Sequence, residues 1–288
     1  MPLAGAVPRT LEEPSVSQSR AVPVVFVHGL WMHPISWGEW VDLFTAAGYD
    51  AIAPGWPGDA TTVAATRQDP DALNKKGIGE ATEHYAAIIS RLPDAPIVVG
   101  HSFGGLIAQR LLGRGLARGA VALAPAQFKG VLRMSPTQIR SVLPVLSRPG
   151  LRTKTWSHTP ETFHTTFANG VPRDESDRIY EDFSIPAPGR PLFQAGLANL
   201  APGSPAKVDT RSARGPLLMV AGGQDRLVPE PLVRSAYHIQ RRNLGVTEYQ
   251  VFPDRGHSLV ADSGWREVAD AALDFLGRHD LAPSTPES

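Results

Sequence analysis

The sequence predicts an α/β fold: a mostly parallel sheet with helices on both faces, interrupted by an inserted, mostly helical segment. Three observations support this. Short, continuously apolar runs alternate with longer stretches of helical period, as expected of parallel strands buried on both faces and joined by crossover helices. The 288 residues are 42% hydrophobic and 19% charged, enough to bury a large core and unlike a disordered or fibrous chain. Residues 126–213 break the alternation between two core strands and are too many for a simple crossover.

The elements follow in order. Val22–Val27 reads as a buried strand ending at His28-Gly29, and Ser36–Ala47 as a helix stopped by Gly48. Tyr49–Ala53 is a second strand, closed by the Pro54–Gly58 turn. A polar loop leads to a helix over Ile78–Leu92, ended by Pro93. Pro96–Val99 is the third strand, running through Gly100–Gly105 into a helix that reaches about Arg114. Ala120–Ala124, Pro216–Ala221 and Glu248–Phe252 complete the strands. Helical patterns at Glu230–Arg242 and Trp265–Leu276 follow the last two. The core is therefore expected at 21–125 and 214–280, a helical cap at 126–213, and flexible ends at 1–20 and 281–288.

Composition removes several classes of function. Lys plus Arg and Asp plus Glu are both 28, so the balance offers no footprint for nucleic acid or an anionic membrane surface. The absence of cysteine excludes disulfides, thiolate nucleophiles, zinc–thiolate sites and iron–sulfur clusters. No apolar run approaches the roughly 18–20 residues of a membrane span. Met1–Arg20, with Pro2, Pro8 and Pro14 and no apolar stretch, reads as a loose arm rather than a signal peptide, making a cytoplasmic location the default expectation. His158 and His164 lack carboxylate or cysteine partners at ligand spacing, so neither metal nor cofactor is expected.

Gly100-His101-Ser102-Phe103-Gly104 matches G-x-S-x-G between a strand and a helix. In that context the glycines let strand and helix approach, and the serine hydroxyl projects at the carboxyl end of the sheet. A glycine-rich turn without function is the bland alternative, which the flanking elements disfavour. A serine hydroxyl needs a base, and His257 in Asp254-Arg255-Gly256-His257-Ser258 lies just past the last strand. The histidine needs a carboxylate to fix its tautomer. Asp225 ends the preceding strand and is preferred to Asp254, three residues before His257. Asp209 and Asp262 lack a strand end and read as solvated loop residues. An oxyanion needs two backbone N–H donors. Phe103 supplies one, and the loop after the first strand the other, from Leu30 or one residue later, Trp31. Trp31, Met32, Trp37 and Phe103 are candidates for a pocket wall or for plain core, and His28 and His101 for structural hydrogen bonding.

Together, the His28-Gly29 turn, the Gly100–Gly104 elbow, Asp225 and Gly256-His257 resemble the α/β-hydrolase fold family, over about Ala21 to Arg278. The resemblance implies a Ser102–His257–Asp225 triad, Phe103 and Leu30 as oxyanion donors, and a cap over the site. The family's usual first two strands have no counterpart before Val22. The expected activity is cofactor-free hydrolysis of a carboxylic ester of a small or medium apolar molecule, with Trp31 against the substrate. The same groups also serve an acyltransferase, a lactonase or a C–C hydrolase, and the fold alone serves a non-hydrolytic ligand-binding protein. In the cap, Phe163, Phe167, Phe183, Leu192, Phe193 and Leu197 are expected to face the pocket, with Arg173, Asp174, Glu175 and Asp177 in solvent.

Overall fold

The computed structural model describes residues 21–132 and 136–283. The 1–20 arm and residues 284–288 lie outside them. The chain runs β1 (Pro23–Val27), α1 (Gly38–Ala46), β2 (Asp50–Ile52), α2 (Val63–Gln68), α3 (Ile78–Ile89), β3 (Ile97–His101), α4 (Phe103–Gly113) and β4 (Gly119–Leu123). It continues through α5 (Pro136–Leu146), β5 (Thr155–Trp156), α6 (Pro160–Thr166), α7 (Arg173–Phe183), β6 (Ala187–Pro188) and α8 (Arg190–Gly196). β7 (Leu217–Gly222), α9 (Glu230–Gln240), β8 (Thr247–Phe252) and α10 (Trp265–Arg278) complete it.

Six strands form one parallel sheet in the order β2-β1-β3-β4-β7-β8. Alternate residues face opposite sides, which is why the strands read as continuous apolar runs. Val25 and Val27 of β1, Val98 of β3 and Met219 of β7 join Ile78, Leu106 and Val233 in one core. Val24, Phe26, Val99 and Val220 join Trp40 and Phe44 of α1 and Phe275 of α10 in the other. Helices α3, α4 and α9 thus cover one face, and α1 and α10 the opposite one. β1 lies between β2 and β3, so the chain leaves β1 toward one edge and later returns on its other side. The crevice opened by that reversal lies at the carboxyl ends of the strands, where open α/β sheets place their sites.

Three features depart from the sequence reading. The helix expected from Ser36 begins as a 3-10 turn, Pro34–Trp37, before α1. The polar loop before α3 contains α2, started by Thr62, whose hydroxyl accepts the N–H of Ala65 at 3.1 Å. Its pattern is faint because only Val63 and Thr66 of its six residues are buried. Between α5 and α8, β5 and β6 pair antiparallel, each too short to show a period.

Leu281 is a correction. Placed by sequence in a flexible tail, it is 5% exposed and packs in the α1/α10 core. A side chain on Gly119 would lie 2.5 Å from its Cδ1, so Leu281 is fitted against β4.

Candidate active site

The turn from β3 into α4 is shaped by close approach. A Cβ on Gly104 would lie 1.9 Å from the carbonyl oxygen of Val27, and one on Gly100 2.2 Å from that of Gly104. Only glycine fits at either place. Ser102, between them, sits at φ 55°, ψ −119°, a strained conformation for a residue with a side chain. It is held there by its N–H to Leu123 O (2.9 Å) and its carbonyl to the N–H of Ala126 (2.9 Å). Ser102 caps α4, so its hydroxyl lies at the positive end of that helix. The loop after β1 comes directly against it: a Cβ on Gly29 would be 2.8 Å from Ser102 Cβ. Leu30 and Trp31, next in that loop, are both buried.

Asp225 and His257 come together at the ends of β7 and β8. His257 Nδ1 donates to Asp225 Oδ2 at 2.6 Å, and neither side chain is exposed. Asp225 Oδ1 accepts the backbone N–H groups of Leu227 (2.8 Å) and Val228 (2.7 Å), which satisfies the buried carboxylate and fixes its rotamer. With Nδ1 donating, Nε2 of His257 carries the lone pair, and this buried atom has no hydrogen-bond partner. Asp254 is exposed and takes no part. Asp262 is another correction: it is 1% exposed rather than solvated. It accepts from the Ser258 hydroxyl at 3.0 Å and the Gly264 N–H at 3.0 Å, and burial pushes its carboxyl above the ordinary range. Those contacts order the loop that follows His257.

The neighbouring histidines are structural, as expected. His101 Nε2 donates to the His257 carbonyl at 2.9 Å, and burial, then the neighbouring His257, holds it well below its ordinary pKa. His28 lies 2.9 Å from Asp59 Oδ2 and 2.8 Å from the Gly29 carbonyl, tying the β1 loop to the turn after β2.

A cavity of about 50 Å³ opens on Ser102. Its walls are mostly apolar: Trp31, Phe103, Val142, Leu146, Leu192 and Leu227. Trp31 and Phe103 therefore face it, whereas Trp37 lies in the opposite core, against Phe26 and Trp40. Sequence reasoning missed Val142 and Leu146 of α5, which with Gln138 form one helical stripe at i, i+4, i+8. That spacing was the available signal.

Residues 126–213 thus contribute to the cavity, but not through all six side chains expected. Leu192 lines it. Phe167 meets His257 edge to face, with centroids 4.9 Å apart at 90°, and Phe163 stacks behind it at 4.7 Å. Phe183 is half-buried. Phe193 and Leu197 line a separate outer groove with Arg152, and Leu197 is 46% exposed. Along α8 and its C-cap, Phe193 and Leu197 lie on a different side from Leu192 and Ala195, which is why these two miss the cavity. Arg173 and Asp174 are exposed and Glu175 and Asp177 partly so. Among the described residues no group of three or more His, Cys, Asp or Glu is placed to hold a metal ion, and no helix is long and apolar enough to cross a membrane.

A strained serine after β3 with an apolar cavity opening on it, and a buried Asp–His pair past the ends of β7 and β8, share the carboxyl ends of one parallel sheet. A family model described as the alpha/beta hydrolase family matches residues 24–271, and the chain belongs to that family. Comparison by sequence with curated proteins finds no match. Among solved structures, the methylesterase MES16 from Arabidopsis is 17% identical with a TM-score of 0.61, covering 90% of this chain and 100% of its own. A monoacylglycerol lipase from Paleococcus ferrophilus is 22% identical, TM-score 0.61, covering 89% and 94%. A pyrethroid hydrolase from Sphingobium faniae JZ-2 is 18% identical, TM-score 0.58, covering 90% and 98%. At these identities the likeness is one of fold.

Proposed function

We propose that the protein is a cofactor-free serine hydrolase that cleaves a carboxylic ester of a small or medium apolar substrate through an acyl-enzyme. The observation that carries the reading is the buried His257–Asp225 pair, with Nδ1 committed to Asp225 and Nε2 without a partner, on the same sheet edge as the strained Ser102 and the cavity that opens on it. Ser102 is the nucleophile, His257 the base and Asp225 the group that fixes the imidazole tautomer. Phe103 N–H, at the start of α4, and Leu30 N–H, in the loop pressed against Ser102, are the oxyanion donors. Trp31 contacts the substrate across the cavity.

In the forward half-reaction Ser102 Oγ attacks the ester carbonyl as its proton passes to His257 Nε2. The imidazolium formed is stabilised by Asp225 and returns the proton to the leaving alcohol. Water, activated by the same nitrogen, then releases the acid and restores the serine. Residues 126–213 form a cap whose α5 and α8 limit the acyl group by closing the cavity. Structural relatives described as a methylesterase, a monoacylglycerol lipase and a pyrethroid hydrolase support the hydrolase reading. The test is a series of p-nitrophenyl esters of rising chain length, beside amide and lactone substrates. Turnover confined to short esters is expected. No turnover on any ester would favour a ligand-binding role, and turnover confined to lactones or amides would move the activity to that bond.

A further inference from the structure

We propose that residues 156–185 of the cap are a fixed part of the catalytic apparatus, a clamp that holds the acid, base and oxyanion loops in register, with Asn169 as a positioning residue. This inference rests on the serine-hydrolase reading. It assigns the cap two separate tasks: the clamp serves the chemistry, and α5 and α8 sort substrates.

The argument comes from where the contacts fall. Asn169 Nδ2 donates to the Gln224 carbonyl at 2.7 Å, one residue before Asp225. The adjacent Gly170 has its backbone against that of Gly256, one residue before His257; a Cβ there would lie 2.7 Å from the Gly256 nitrogen. Phe167, two residues before Asn169, sets its ring against the His257 imidazole. On the far side of the site, Trp31 Nε1 donates to the Trp156 carbonyl at 3.2 Å and the Ile185 N–H to the Trp31 carbonyl at 3.0 Å, one residue after Leu30. Met32 bridges Ser184, and the His33 N–H reaches Phe183 O at 2.9 Å, extending that attachment as a short ladder.

One segment therefore grips all three loops beside their functional residues. Trp31 lies at φ 67°, a conformation rare for a residue with a bulky side chain, and persists there because both its carbonyl and its indole are tied to the segment. The stack of Phe163 on Phe167, with Tyr180 against Phe163 at 5.4 Å, joins α6 and α7 behind these contacts into one packed unit. By contrast α5 packs chiefly on α8 and on the Pro149–Arg152 turn, and its outer face leaves Ile139 and Leu143 exposed. A shift of about 1 Å in a catalytic group can cost roughly 10²-fold in rate, so a clamp that sets loop spacing acts on kcat.

The experiment compares Asn169→Ala and Asn169→Asp, which both lose the donated hydrogen bond, with Val142→Ala and Leu146→Ala on α5. Each is assayed on p-nitrophenyl acetate and for the rate of Ser102 labelling by a small fluorophosphonate. The Asn169 variants are expected to lose about ten- to hundredfold in kcat and in labelling rate, with KM within about twofold and the thermal midpoint retained. The α5 variants should change the preferred ester chain length, a shift in specificity that the Asn169 variants should not show. Hydrogen exchange on the unaltered protein is the second measurement: amides of α6 and α7 should be protected like those of β3 and β4, and those of α5 should exchange faster. Folded Asn169 variants with unchanged kcat, or exchange in α6 and α7 as fast as in α5, would overturn the clamp while leaving the hydrolase reading intact. Unaltered protein that neither turns over esters nor labels at Ser102 would take both readings down.

Discussion

His257 Nδ1 and Asp225 Oδ2 lie 2.6 Å apart with both side chains sealed from solvent, across 32 residues of sequence. The aspartate's other oxygen is occupied by two backbone amides, so the imidazole has a single orientation available to it. Asp225→Asn keeps the shape but allows the amide to donate to Nδ1, forcing the proton onto Nε2. Turnover should drop on the order of 10⁴-fold, whereas Asp254→Asn, at an exposed position, should leave it within about twofold. If kcat responds to Asp254 instead, the acid is misassigned.

Ser102→Ala should remove both ester turnover and fluorophosphonate labelling, with a loss in kcat on the order of 10⁴–10⁶. Intact-mass measurement after labelling reads the result directly. A full adduct on the alanine variant would place the nucleophile elsewhere.

The cavity wall should read acyl length. Leu146→Ala removes bulk from the wall of a cavity of about 50 Å³, and Ala195→Leu adds bulk to it. Each methylene accommodated or excluded in a hydrophobic pocket changes specificity by about 10–200-fold. The first variant should move the optimum to longer esters and the second to shorter ones, in kcat/KM ratios across the p-nitrophenyl series. Identical profiles would remove these residues from the substrate's path.

Stability should fall with acidification through the buried histidines. Burial first, and His257 next, lower His158 from 6.5 to about 3. His101 is also held low, chiefly by burial. Below about 6.5 the unfolded chain takes up protons that the folded state refuses. Each such histidine therefore contributes stability that is present above that pH and lost as pH falls toward its folded value, by about 1.4 kcal/mol per pH unit. Thermal midpoints between pH 7.5 and 5 should decline, and His158→Phe, which keeps a ring between Trp31 and Trp156, should flatten the decline. Equal slopes for the two proteins would contradict a neutral buried His158.

Leu281→Ala should cost about 2–5 kcal/mol, the range for truncating a buried leucine, because the side chain fills the space against Gly119. Urea denaturation measures it. A loss below about 0.5 kcal/mol, the range of surface substitutions, would return the residue to the tail.

Much was legible locally. Val22–Val27 and Pro216–Ala221 announced buried strands because parallel strands covered on both faces need apolar side chains at every position. Gly104 could be read as obligatory because close contact between a strand and a helix leaves no room for a Cβ. Asp225 and His257 were found because each ends a strand, and parallel strands deliver their ends to one edge of the sheet. Thr62 as a helix start and the two-residue β5 and β6 carried too little pattern to be read.

The sequence by itself determined the parallel αβ alternation, the elbow around Ser102 and the strand ends that bear an acid and a histidine, since these depend on neighbours within a few residues. Tertiary structure alone decided that Asp262 is buried and that Leu281 belongs to the core. It also decided that Val142 and Leu146 face the cavity while Leu197 does not, and that Phe167 rests on the imidazole. Those outcomes turn on which of several amphipathic faces packs against which neighbour, a choice made by burial and close packing between residues far apart in the chain.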